Sequence, residues 1–414
     1  MKIGIDLSYE GIFDSSSKKE GIFRYNDFLF YELLRLDKTL ELEFWCLEGN
    51  VPFFSDLHSK ILRDFSERIS FLTEKNTSGI FNGFFRIPFI KSLKQGSKLE
   101  NLYGAIKNTS CADIGFSDVV SIYGLHYFPR KKNFTLHDLF TCLVPDLFRN
   151  AFSNIDKMNE EAIKNLSQFA REGAEFVVFN DYVKNNQLLK FVPDTENCCI
   201  SVIPNPVMMR KNKMKDLGEE FVHKKYQFEG RYIFYPTINR PNKNILLILQ
   251  ALDILIKQGE IFRLVTTGSM GTLTQTDLYV RENCLSDYII ETGYLTDDEW
   301  YTLYKHSTVG VVTTIVEGPG MPQQVLEALQ VGTLPVVCTK CLGVEESLKT
   351  VGLCLKDANL YWTDPYDPVG LAERIKFVCD HSEQVIFEQR GILDAYSKRT
   401  WSDVARDYLQ LIYR

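Results

Sequence analysis

Two short stretches of this sequence combine residue types suited to an anion and a polyol. The first, Tyr235-Pro236-Thr237-Ile238-Asn239-Arg240-Pro241-Asn242-Lys243-Asn244, sets a guanidinium and an ammonium close together, between an apolar run and a long helix-periodic segment. Cations at a strand end and a helix start are well placed to meet an anion; the alternative reading is a solvated turn whose charges do nothing. The second, Glu317-Gly318-Pro319-Gly320-Met321-Pro322-Gln323-Gln324-Val325-Leu326-Glu327-Ala328, follows an apolar run that ends at Thr314. Its glycines let the backbone approach a ligand closely, and the free N–H groups opening the next helix favour phosphate. A glutamate in such a place can accept hydrogen bonds from two vicinal hydroxyls of a sugar or a ribose.

Other chemistries lack their residues. No Gly-x-Gly-x-x-Gly follows a predicted strand and no Gly-x-x-x-x-Gly-Lys-Ser/Thr occurs, so neither a dinucleotide fingerprint nor a P-loop is present. There is no Asp-x-Asp triplet to hold a metal-bound diphosphate, so no metal ligands are expected. The six histidines include no helical i, i+4 pair around a glutamate, which excludes a zincin site. Cys338-x-x-Cys341 has no second metal-ligand pair and reads as two thiols at a strand end, and Cys198-Cys199 reads as strand interior. His137, before Asp138 at a predicted strand end, is either satisfied structure or a site residue.

The elements that must position these residues alternate. Strand-like runs at Tyr232 to Tyr235, Phe262 to Thr267, Tyr288 to Glu291, Val309 to Thr314, Leu334 to Cys338 and Gly352 to Leu355 are separated by segments of helical period. That series predicts a parallel sheet with helices on both faces, whose ligands sit beyond the carboxyl ends of the strands. The first half repeats the pattern less cleanly, with strands at Lys2 to Leu7, Leu42 to Cys46, Phe134 to His137 and Phe176 to Phe179 and a helix from Tyr25 to Leu36. An α/β chain of two doubly wound, Rossmann-like domains facing a central cleft is therefore expected: 1–210, then 211–395, with a helix in 396–414 crossing back to the first domain. The prolines of Ile203-Pro204-Asn205-Pro206 and the polar run after them, near 205–228, mark the linker.

Composition fits a folded protein: 414 residues, 45% hydrophobic, 24% charged. The net charge of −7 argues against general nucleic-acid binding. No apolar stretch reaches the length of a membrane span, and Lys2 to Leu7 lacks the features of a signal peptide, so a cytoplasmic location is expected.

The ordered motifs of the second half resemble the retaining, GT-B-type glycosyltransferases of family 4 (group 1). They are the Pro-x-x-x-Arg-Pro-x-Lys-Asn turn, Thr292-Gly293-Tyr294-Leu295-Thr296-Asp297-Asp298-Glu299, Glu317-Gly318-x-Gly320-Met321-Pro322, Leu326-Glu327-Ala328-Leu329, Gly332-Thr333-x-Pro335-Val336-Val337 and Asp364-Pro365-x-Asp367-Pro368. Gly4-Ile5-Asp6, Gly21-Ile22-x-Arg24-Tyr25, Leu136-His137-Asp138-Leu139 and Ile203-Pro204-Asn205-Pro206 extend the resemblance into the first half. It implies a hexosyltransferase that needs neither cofactor nor metal and moves a sugar, with retention, from a nucleoside-diphosphate sugar to a saccharide or lipid-linked saccharide acceptor, in polysaccharide or glycoconjugate assembly. Arg240 and Lys243 would hold the diphosphate, Glu327 the ribose, and Glu317 with the amides of Gly320 and Met321 the transferred sugar. Gly21 would lie against the phosphates, and His137 near the donor sugar. Glu317 and Glu327 stand two residues farther apart than the family's paired glutamates, and Gln323-Gln324 accounts for the extra length.

Two rival functions share the architecture: a sugar-nucleotide epimerase and a catalytically silent sugar-nucleotide-binding protein. The stretch 80–98 interleaves aromatics with Arg86, Lys91, Lys94 and Lys98. It reads either as a buried element of the first domain or as a peripheral contact with the inner face of a membrane.

Overall fold

The computed structural model describes residues 1–9, 21–77, 93–120, 123–149, 151–208 and 214–414, with only the backbone described at 77, 93–97 and 197. Most of the stretch 80–98, with the membrane contact considered there, lies outside the described residues. The chain forms two units: one made of Met1–Leu139, Asp156–Asn205 and Thr400–Arg414, the other of Phe140–Ile155 and Pro206–Arg399.

The first unit is built on strands β1 (Lys2–Asp6), β2 (Glu41–Trp45), β3 (Ile69–Leu72), β4 (Ile114–Ser117), β5 (Lys131–Leu136), β6 (Glu175–Val178) and β7 (Ile200–Val202). They form one sheet in the order β3-β2-β1-β4-β5-β6-β7, every neighbouring pair parallel. Strand order reverses between β1 and β4, and in open α/β sheets ligands bind beyond the carboxyl ends at such a reversal. Helix Gly21–Leu36 packs against the terminal helix Trp401–Ile412, with Phe28 stacked on Trp401 at 5.0 Å between ring centroids. The buried Tyr408 hydroxyl lies 2.8 Å from that of Tyr25 and 2.7 Å from Thr135 Oγ1, so one group ties both helices to β5.

The second unit carries β8 (Tyr232–Tyr235), β9 (Arg263–Thr266), β10 (Ile289–Glu291), β11 (Val309–Val312) and β12 (Val336–Cys338), parallel in the order β10-β9-β8-β11-β12. β8 and β11 are buried on both faces because helices cover the two sides of the sheet, which is why they read as unbroken apolar runs. Helix Ile245–Lys257 buries eight of its residues, Leu247, Ile248 and Leu252 among them, at about 1.5–3 kcal/mol for each large aliphatic side chain. Each unit is thus a doubly wound, Rossmann-like α/β structure, as expected.

Several expectations need correcting. Gly352 to Leu355 is not a strand: Gly352 has φ +76°, and the Leu353 amide turns back to the Leu348 carbonyl, closing helix Val344–Thr350. The edge of β12 pairs instead with residues 360–363, through Cys338 N to Leu360 O at 3.0 Å and Thr363 N to Cys338 O at 3.1 Å. Cys198 and Cys199 precede β7 rather than lie inside it, and Cys199 is exposed. The expected linker contains helix Glu219–Tyr226, whose single buried apolar residue, Val222, leaves little periodicity to read. Its glutamates at the start and cations at the end suit the helix dipole. Phe140–Ile155, expected in the first domain, belongs to the second unit.

Candidate functional site

The crevice between β8 and β11 is assembled by hydrogen bonds from the loops that leave those two strands. After Tyr235 the chain enters a single turn at Pro241–Lys243, which proline can open because its missing N–H is not needed there. Asn244 ends the turn in the left-handed region (φ 51°), and its Nδ2 donates to Pro365 O at 2.7 Å. Ile315 N donates to Asn242 O at 2.9 Å, and Asn242 Nδ2 to Val316 O at 3.3 Å. Thr313 Oγ1 donates to the carbonyls of Lys243 and Asn244, at 2.9 and 3.0 Å. Buried Tyr235, whose phenol burial pushes well above its ordinary pKa, donates to Lys243 O at 3.1 Å. The loop after β8 is thus held to the loop after β11 along its length.

That clamp brings Lys243 and Glu317 into contact: Lys243 Nζ pairs with Glu317 Oε1, and Thr314 Oγ1 donates to the same oxygen at 3.2 Å. Both side chains are about 15% exposed, so the pair is partly shielded yet reachable from solvent. Arg240 is exposed at the start of the turn, and helix Pro145–Arg149 lies against that turn. The approach of Pro145–Arg149 gave no signal in the sequence, since its contacts with Pro241–Lys243 span most of a hundred residues.

Gly320 has φ +83°, and a Cβ there would stand 2.4 Å from Gly343 O and 2.7 Å from Ser347 Cβ. Only glycine fits, for both reasons. The Gly320 amide donates to Glu317 O at 3.2 Å, so this N–H, expected to face the sugar, already closes the loop. The next amide, that of Met321, has no hydrogen-bond partner among the described residues, while its side chain is buried. Helix Gln323–Val331 begins with the two extra glutamines, and Glu327 is buried one turn later. Gln323 Oε1 accepts from Met208 N at 3.4 Å, and Gln324 O from Tyr304 Oη at 3.2 Å, so both glutamines are anchored. Cys341 Sγ donates to Gly320 O at 3.0 Å, and burial raises both the Cys338 and the Cys341 thiol, which keeps them protonated and structural.

A residue the sequence reading passed over also shapes this crevice. Asn239 donates from Nδ2 to Thr276 Oγ1 at 2.8 Å and Ser269 O at 3.1 Å, which pulls the β8 loop onto the β9 loop. Its position beside Arg240 in the turn was visible, but its partners were not.

In the first unit, His137 follows β5 and its Nε2 lies 3.2 Å from the buried Asp118 Oδ2, with the rings of Tyr25 and Phe179 edge-on around it. Beside Asp118, at the carboxyl end of β1, Asp6 accepts from Leu125 N at 2.6 Å and Ser8 N at 3.2 Å. Burial raises its pKa to about 6. Gly124 leaves room for this carboxylate, since a Cβ there would lie 2.5 Å from Asp6 Oδ1. Gly21 opens helix Gly21–Leu36, exposed, and among the described residues nothing lies within 4 Å of an added Cβ. Lys243, Glu317, Arg240, Gly320, Met321 and Glu327 therefore belong to the second unit, and Gly21 and His137 to the first.

Comparison with known proteins follows this division. No curated protein sequence matches the chain. Among solved structures the chain is similar over its whole length to HepE from Anabaena in complex with UDP and glucose (14% identity, TM-score 0.65, 99% of that chain covered). It is also similar to sucrose-phosphate synthase from Thermosynechococcus elongatus (15% identity, TM-score 0.67, 98% of that chain covered). WaaG, a glycosyltransferase involved in lipopolysaccharide biosynthesis, aligns over 99% of both chains at 11% identity and TM-score 0.61. The chain thus has the fold of the GT-B glycosyltransferases, and residues 230–381, which contain the Lys243–Glu317 pair, match the family model for glycosyl transferases group 1.

Proposed function

We propose that this protein is a retaining glycosyltransferase that moves a hexose from a nucleoside-diphosphate sugar to an acceptor hydroxyl without a metal ion. The observation that carries the proposal is the Lys243–Glu317 pair at the β8/β11 reversal, on loops that also carry the exposed Arg240 and the Met321 amide, which has no partner among the described residues. A sugar diphosphate is complementary to such a pair. Its phosphate oxygens accept from Lys243 and Arg240, while sugar hydroxyls donate to the Glu317 carboxylate, so the ligand divides the ion pair and satisfies both halves.

The chemistry then needs a place for charge. As the bond between the anomeric carbon and the phosphate oxygen breaks, the electron pair moves to the nucleoside diphosphate, and a new bond forms from the acceptor oxygen to the same face of the anomeric carbon. The acceptor proton leaves on the diphosphate. Lys243, Arg240 and the Met321 N–H stabilise the developing negative charge, a kind of preorganised contact whose loss typically costs about 3 kcal/mol. In this reading Glu327 holds the ribose, His137 and Gly21 attend the donor from the first unit, and Asp118 orients His137.

The fold shared with HepE, whose structure holds UDP and glucose, supports a nucleotide-sugar donor, and that shared with WaaG supports a saccharide or lipid-linked saccharide acceptor in surface-glycan assembly. Incubation with a panel of nucleoside-diphosphate sugars tests the reading. Acceptor-dependent release of nucleoside diphosphate is expected. An isomerised nucleotide sugar would instead mark an epimerase, and binding without turnover a silent binding protein.

A further inference from the structure

The second unit contains a cleft of about 330 Å³ lined by Lys340, Lys356 and Arg374 together with the rings of Tyr361 and Trp362. None of these residues belongs to the Arg240–Lys243 turn or to the 313–327 loop and helix. The three cations come from three places: Lys340 just beyond β12, Lys356 from the loop that follows helix Val344–Thr350, and Arg374 from helix Pro368–Asp380. All three are exposed, and among the described residues none has a carboxylate within 4 Å. The contrast with their neighbours is direct, because Lys376 on the same helix pairs with Glu260 at 3.1 Å and Lys257 with Asp253 at 2.6 Å. Three like charges around one concavity repel each other unless an anion joins them.

The aromatic side of the cleft is held in place. Residues 360–363 are hydrogen-bonded to the edge of β12, and Trp362 Nε1 donates to Leu355 O at 3.1 Å, which pins the indole. Tyr361 occupies the left-handed region at φ 49°, an uncommon conformation for an aromatic residue. It is kept there by Asn359 Oδ1, which accepts from its amide at 3.0 Å, and by Glu388 Oε2, which accepts from its hydroxyl at 3.0 Å. Strained backbone of this kind persists where its surroundings over-determine it, and it gathers at ligand sites. We infer that this cleft is a second anion site, which binds a phosphate-bearing molecule through Lys340, Lys356 and Arg374 and rests its apolar or planar part on Trp362. The cleft's volume, at the lower end of the range for small-molecule pockets, suits one phosphorylated sugar, nucleotide or lipid headgroup.

The site stands independently of the donor reading, so its test is run with Arg240 and Lys243 both changed to alanine, which removes the other candidate anion contact. The full-length double variant is titrated with inorganic pyrophosphate by calorimetry, and sedimented with phosphatidylcholine vesicles with and without phosphatidylglycerol. At least one probe should bind, and that binding should weaken at least tenfold when Lys356→Glu and Arg374→Glu are added. Lys356→Ala and Arg374→Ala should weaken it less, with the thermal midpoint kept within a few degrees. Loss confined to pyrophosphate identifies a soluble ligand, and loss confined to phosphatidylglycerol a headgroup. No binding of either probe, or binding unchanged by the charge reversals, would overturn the inference.

Discussion

At the scale of single residues, the proposed site centres on an ammonium and a carboxylate that the chain separates by 74 positions and the fold brings together. In the proposed mechanism Lys243→Ala removes a cation that meets the departing diphosphate, so kcat should fall by about a hundredfold, roughly 3 kcal/mol of barrier. The same change leaves Thr314 as the remaining donor to Glu317 among the described residues, so a stability loss on the order of 1 kcal/mol is expected beside it. Near-normal turnover at saturating donor would remove Lys243 from the mechanism. Two glycines divide fit from function in a complementary way. Gly320→Ala forces a Cβ onto the Gly343 carbonyl at positive φ, and urea unfolding should show a loss of at least about 2 kcal/mol. Gly21→Ala meets no atom of the described residues within 4 Å and should leave stability within about 1 kcal/mol while slowing turnover, because a phosphate cannot come as close to the alanine backbone. Equal turnover in Gly21→Ala would show that no ligand approaches there.

At the scale of elements, the carboxyl ends of β1, β4 and β5 gather Asp6, Asp118 and His137, and burial gives Asp6 a pH signature. With its folded pKa raised to about 6 from an ordinary 3.8, Asp6 keeps its proton in the native state at pH values where the unfolded chain has lost it. Its contribution to stability is therefore complete below pH 3.8 and is lost as pH rises through 6. Asp6→Asn cannot titrate, so the stability of the native sequence relative to this variant should fall by up to about 3 kcal/mol between pH 4 and 6.5, at ~1.4 kcal/mol for each pH unit. Parallel urea midpoints for the two proteins across that range would refute the assignment. Elements also show what could be read in advance. β8, β11 and β12 were legible because double burial makes short parallel strands uniformly apolar. β3 and β4 were not, since Ile69–Leu72 and Ile114–Ser117 interleave serine and glycine with the apolar residues. Arg240, Lys243 and Glu317 were legible as candidates from charge beside a strand end. Their union was not, because Tyr235, Thr313 and Asn242 build it through backbone carbonyls that leave no pattern in the sequence.

At the scale of the whole molecule, each unit repeats one design, a parallel sheet whose strand order reverses once and whose polar residues collect at the carboxyl ends beside the reversal. The reversal between β8 and β11 carries Lys243 and Arg240, the cations proposed to meet a leaving diphosphate, and that between β1 and β4 carries carboxylates and an imidazole. The central claim is that these side chains and amides alone carry retaining transfer by the full-length protein. The anomeric proton region of the NMR spectrum, followed during turnover of donor and acceptor in excess EDTA, tests it most directly. A glycoside whose anomeric configuration matches that of the donor, formed at the same rate as without EDTA, is expected. A product of inverted configuration, or transfer that stops in EDTA and returns with Mg²⁺ or Mn²⁺, would contradict it.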